Sequence, residues 1–85
     1  PELIARDQHT VYVFHADDTL HPIARLPYGQ RDGVCASELR VEGDQLIVED
    51  YAVTRYGDDA CQLRTIRHYR FAPGRIDLGR VTIDN

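Results

Sequence analysis

Leu39-Arg40-Val41-Glu42-Gly43-Asp44-Gln45-Leu46-Ile47-Val48 holds two apolar-rich runs that meet at a Gly-Asp pair. Glycine and aspartate supply the backbone conformations that a two-residue hairpin turn requires. A turn at that point sets Val41 opposite Leu46 and Leu39 opposite Val48. Pro73-Gly74 acts in the same way farther along, setting Phe71 opposite Ile76 and Tyr69 opposite Leu78. A four-residue loop from Gly57 to Ala60 between the two hairpins sets Leu46 opposite Phe71 and Val48 opposite Tyr69. Three independent turns then agree. They place Leu39, Val41, Leu46, Val48, Tyr69, Phe71, Ile76 and Leu78 on one face of a four-stranded antiparallel meander. Side chains alternate between faces, so a one-residue slip at any turn would scatter this set.

Outward from this meander, short runs rich in Val, Ile, Tyr, Phe and Thr recur between Gly, Pro and Asp clusters. That spacing predicts an all-β antiparallel domain with six strands, at 10–16, 20–26, 36–42, 45–56, 61–72 and 75–83. Only Pro1 to Arg6 offers a place where a helix could begin. The 85 residues make one domain, with a core of modest size, arranged as a coiled sheet or a small barrel-like roll. The hairpin of residues 10–26 is expected to fold over one end of the sheet, and Gly79 to supply the bulge that bends it. Pro22 and Pro27 put the second strand at an edge, where a missing amide donor does no harm.

On the other face of the meander, the same register sets Glu49 against His68 and Arg70 against Asp77. Toward the Gly57 end that face turns apolar, with Tyr51, Val53, Ile66, Val81 and Ile83 forming a cluster that needs a cover or a partner. Tyr28 to Val34, including Gln30, Arg31 and Asp32, is the longest segment without strand character and contains two glycines. A loop of this kind on a rigid sheet is a common place for recognition.

Cys35 and Cys61 are the only cysteines, and a disulfide between them is the strongest chemical inference the chain allows. Small domains outside the cytosol use such links to supplement a limited core. A flat register nevertheless puts Cys35 opposite Ala52 and Cys61 opposite Tyr56, too far apart along the strand to bond. Either the segment before Ser37 leaves the sheet and folds back, or the two thiols are free.

The chemistry-bearing residues are sparse. His15 and His21 face each other if Asp17-Asp18-Thr19 forms a three-residue loop and project from opposite faces if the loop has two or four residues; no ligand spacing supports a metal site, and none is expected. Ser37, the only serine, has neither glycine framing nor a neighbouring base. Asp17-Asp18 and Asp58-Asp59 suit turns, where carboxylates cap backbone amides. Glu49, His68 and Arg70 form the best catalytic-looking or ligand-binding group, with Gly79 leaving space beside His68. All ten basic residues are arginine, yet the net charge is −4 and the pI about 5.4, which argues against a nucleic-acid partner. No apolar run approaches the roughly 20 residues of a membrane-spanning helix.

The layout of residues 45–78 runs strand, Tyr-Gly-Asp-Asp-Ala-Cys, a strand ending Tyr-Arg-Phe, then Pro-Gly and a closing strand. It resembles small bacterial secreted or lipoprotein β domains of unassigned function. The resemblance covers under half of the chain and brings no catalytic residues or cofactor with it. The chain opens Pro1-Glu2-Leu3 and contains no Met, and it is expected to be the mature or excised part of a longer precursor, behind a signal peptide, a lipid anchor or another domain. The resulting expectation is a non-catalytic module of the periplasm or cell exterior that recognises a protein partner, as an inhibitor, an immunity-type protein or an envelope-protein domain. Its candidate contacts are Tyr28, Gln30, Arg31, Asp32, Tyr51, Ile66 and Val81. Two rival expectations are a small hydrolase or ligand-binding domain centred on Glu49, His68 and Arg70, and a structural or oligomerising domain.

Overall fold

The structure is a computed structural model, and it describes residues 2–53 and 61–84. All regular structure among them is antiparallel β: β1 (Glu2–Arg6), β2 (Thr10–Ala16), β3 (Leu20–Pro27), β4 (Val34–Glu42), β5 (Gln45–Ala52), β6 (Leu63–Ala72) and β7 (Arg75–Asp84). They form two sheets, of three strands in the order β1-β2-β3 and of four in the order β4-β5-β6-β7. The all-β expectation holds; among the described residues the sheets do not close into a barrel, and a seventh strand joins the expected six.

That extra strand is β1, where the sequence allowed a helix to start. Glu2 to Arg6 instead pairs with β2, Ile4 opposite Val13 and Arg6 opposite Val11. The segment has no helix cap, and the neighbouring strand satisfies its backbone groups directly. β3 lies at a sheet edge as its two prolines require, with Pro22 opposite Phe14 and Pro27 opposite Thr10.

The two outer hairpins of the meander have the expected register, with Val41 opposite Leu46 and Phe71 opposite Ile76. Between β5 and β6 the register differs by two residues: Leu46 faces Tyr69 and Val48 faces Arg67. A two-residue slide keeps every side chain on its face, so apolar alternation cannot detect it. The last pair is Ala52 with Leu63, which leaves a longer connection than four residues. The Gly57 to Ala60 loop and its Asp58-Asp59 pair lie outside the described residues.

The core is the seam between the sheets. Val11, Val13 and Leu26 from the smaller sheet, with Tyr28, meet Leu46, Val48 and Tyr69 from the larger one. Leu46, Val48, Val11 and Val13 are fully buried. The N-terminal hairpin thus covers the Leu46 face rather than only one end of the sheet.

Gly79 is the bulge residue: His68 pairs with Arg80 and Tyr69 with Leu78, leaving Gly79 without an opposite number. The bulge has a consequence for the faces. It inverts the alternation of β7 beyond Gly79, so Val81 and Ile83 share the Leu46 face, while Tyr51 and Ile66 lie on the other. The expected cluster of Tyr51, Val53, Ile66, Val81 and Ile83 is therefore divided between two faces. Val81 and Ile83 remain exposed at the edge of the sheet, whereas Ile66 is buried.

Cys35 and Cys61 are bonded, with their Cα atoms 6.3 Å apart. A second bulge makes this possible. Val34 pairs with Ala52 and Ala36 with Tyr51, so Cys35 drops out of the ladder and is free to turn toward Cys61. The obstacle in the flat register was thus removed by a local irregularity that side-chain periodicity does not reveal.

Candidate functional site

Three places gather polar or accessible groups. The first is a polar network on the inner face, just beyond the core. β5 turns Leu46, Val48 and Asp50 toward the smaller sheet, and Asp50 is buried like its apolar neighbours. Its carboxylate accepts hydrogen bonds from the Ser37 hydroxyl at 2.6 Å, from Arg31 at 2.8 Å and from Arg67 at 3.1 Å. Ser37 Oγ in turn accepts the Gly29 amide at 2.9 Å, and the Tyr28 hydroxyl donates to the Ser37 carbonyl. Arg31 also donates to the Gly29 carbonyl, and Arg67 to the carbonyl of Pro27 and the hydroxyl of Tyr69.

This network fastens the Tyr28 to Gly33 connection to the larger sheet. Tyr28 and Arg31, expected as partner contacts, spend their polar groups inside the fold, whereas Gln30 and Asp32 stay exposed. Gly29 has φ +80, and a Cβ there would collide with the Gln8 carbonyl oxygen, so the close crossing of two chain segments requires glycine. Sequence reasoning passed over Asp50 and Arg67 entirely. A signal was present: 37, 50 and 67 all have the parity of the core positions, and polar residues at core parity call for one another.

The second place is the outer face of the larger sheet. Glu49 faces Ile66, not His68, and His68 faces Ile47. Glu49 is buried there, with Arg40 at 3.1 Å and the Tyr51 hydroxyl donating to it at 3.1 Å. Burial pushes its carboxyl up, but hydrogen bonds from Arg40 and Tyr51 and the charges of Arg40 and Arg64 outweigh that and hold it below its usual range. The unfolded chain therefore takes up the proton first. The contribution is present above the ordinary value of 4.5 and is lost as pH falls through the lower folded value. Urea midpoints measured across the acid range are expected to decline below about pH 4.5, and Glu49→Gln to flatten that decline. Some of the slope will persist, because the His9 amide lowers Asp7 and the Thr19 amide lowers Asp17.

His68 and Arg70 line an open hollow of about 440 Å³ with Gln45, Asp77, Gly79 and Arg80. Arg70 stands opposite Asp77 as expected, and the Gly79 bulge provides the space. Among the described residues the buried His68 Nδ1 has no hydrogen-bond partner, and Arg80 approaches its Nε2 at 3.4 Å. The proposed trio of Glu49, His68 and Arg70 is thus split between two networks.

The third place is the outer face of the smaller sheet. Tyr12, Phe14, Pro22 and Arg25 line an open, largely apolar depression of about 480 Å³. Leu3 lies opposite Phe14, and Leu20 continues the same face; both are exposed. Arg25 sits over the Tyr12 ring, and Asp7 accepts the Tyr12 hydroxyl at 3.0 Å.

At the far end of this sheet His15 and His21 do face each other, their rings stacked with centroids 6.4 Å apart. Each is turned to its own carboxylate, His15 to Glu2 and His21 to Asp17. Among the described residues no three His, Cys, Asp or Glu side chains converge on a metal position. No described helix is long and apolar enough to cross a membrane. Compared with known proteins, the chain matches no family model, no curated protein and no solved structure.

Proposed function

We propose that this domain is a non-catalytic, extracytoplasmic module that recognises a protein partner through the outer face of the β1-β2-β3 sheet. The observation that carries this reading is an apolar band in which exposed Leu3, Pro22 and Leu20 surround half-buried Phe14, on the side of the sheet opposite the core. An apolar depression with a polar rim, here Asp7 and Arg25, suits a protruding apolar side chain of another protein. The disulfide fits an oxidising compartment. A periplasmic or extracellular inhibitor, immunity-type or envelope-protein role is compatible with both features.

The test is retention of a partner from an envelope extract by the native domain and by a Phe14→Asp variant. A centrally placed contact of this kind is expected to weaken retention about 30-fold or more, with the unfolding midpoint little changed. Identical retention by both forms would remove the outer face from the reading.

A second reading places a small anionic ligand in the hollow of His68, Arg70 and Arg80. It is favoured by Arg70 and Arg80 beside His68, whose buried Nδ1 has no hydrogen-bond partner among the described residues. His68→Ala separates the two, because it would abolish binding of inorganic phosphate in the hollow while leaving retention of the protein partner intact.

A further inference from the structure

β7 is the edge of the larger sheet, with β6 on one side only. It is ten residues long, contains no proline and is exposed along nearly its whole length. Long edges with exposed apolar side chains pair with another strand unless something blunts them. The other edges are blunted. β3 carries Pro22 and Pro27, β1 has five residues, and β4 is bulged beside the disulfide. β3 approaches β7 from the smaller sheet but makes no ladder with it.

The sequence of β7, Arg75-Ile76-Asp77-Leu78-Gly79-Arg80-Val81-Thr82-Ile83-Asp84, is nearly self-complementary when read against its own reverse. Centred between Gly79 and Arg80, an antiparallel pair of identical strands sets Leu78 opposite Val81, Ile76 opposite Ile83, and Arg75 opposite Asp84. Each match occurs twice by symmetry. The Gly79 bulge makes the faces agree as well: Ile76, Leu78, Val81 and Ile83 all lie on the core face of the sheet, and Arg75 and Asp84 on the other. Two strands bearing the same bulge at the same point compensate each other's change of alternation. Leu78, Val81 and Ile83 are 55%, 48% and 68% exposed in the single chain, so they have surface to bury.

We propose that two copies of this chain join β7 to β7, antiparallel about a two-fold axis between Gly79 and Arg80, giving one continuous eight-stranded sheet. Such an isologous contact closes on itself and stops at two chains. The apolar row Leu46, Tyr69, Leu78 then continues into the partner's Val81, and the exposed edge disappears. This contact shares no residue with the apolar band of the smaller sheet, so either can fail without the other.

Sedimentation at about 10 μM and about 1 mM, with amide exchange of β7 at both, tests it. The expected result is a shift from one chain toward two, with alternate β7 amides gaining protection. Ile83→Lys, at an already exposed position opposite the partner's Ile76, is expected to weaken association about tenfold. Arg75→Asp should weaken it too, and adding Asp84→Arg should restore part of the loss. A single chain at both concentrations would overturn the proposal. So would a dimer that leaves β7 exchange unchanged or ignores Ile83→Lys, since that dimer, or a foreign strand on this edge, would be a different interface.

Discussion

Asp50→Ala is expected to destabilise the domain by about 3–5 kcal/mol, the usual cost of removing one member of a buried ion pair. Asp50 is 6% exposed and accepts hydrogen bonds from Ser37, Arg31 and Arg67. Its removal leaves the Arg67 guanidinium, whose side chain is 14% exposed, without its carboxylate. Arg31, at 32%, can recover solvent more easily and contributes less of the penalty. The loss then spreads through Ser37 to the Gly29 amide and loosens the connection from Tyr28 to Gly33. Urea unfolding is the appropriate measurement. Asp50→Asn, which keeps the shape and loses the charge, should fall between Ala and the native residue. A cost for Asp50→Ala below about 1 kcal/mol, typical of an exposed pair, would show that the network does not hold the loop.

Breaking the Cys35–Cys61 bond is the other large effect. The two residues are 26 apart in sequence, for which loss of chain entropy in the unfolded state corresponds to roughly 3.5 kcal/mol. Folded domains of 85 residues have a total stability of about 4–13 kcal/mol, so reduction should consume a large part of it. A Cys35→Ala, Cys61→Ala double variant is expected to show the same fall in urea midpoint as the reduced native protein. Alkylation during unfolding without reductant should label no thiol. Two labelled cysteines in that experiment would overturn the pairing. The bridge and the Asp50 network both anchor the segment that leads into β4, so removing both is expected to leave the chain largely unfolded at 25 °C.

Particular positions show how far the sequence could be read. Val41 with Leu46 and Phe71 with Ile76 were legible because each tight turn sets its own register, whatever the rest of the chain does. Leu46 with Tyr69 was not legible, because a two-residue slide across the longer connection exchanges one apolar pairing for another without moving any side chain to the wrong face. Gly79 was recognised as a bulge, but its effect on Val81 and Ile83 appears only when β6 is laid beside β7. For the candidate sites, His68 and Arg70 were legible as neighbours of Gly79, whereas Glu49 went to Arg40 and Tyr51 once the slide moved it away from His68.

The chain's own pattern determined that this is an antiparallel β protein, which residues beside the two tight turns of the larger sheet face inward, and which two sulfurs are available to each other; that they bond, and that Val81 and Ile83 face inward, was decided by two bulges. Those properties follow from local turn chemistry, from the two-residue period of a strand, and from there being only one possible pair of cysteines. Tertiary structure alone decided that β1 is a strand, that the strands divide into sheets of three and four, and that Asp50 is a buried anchor. Each of these depends on what lies across a gap from the residue in question. Backbone and carboxylate groups take the partner that removes them from water at least cost, and that partner is distant in sequence.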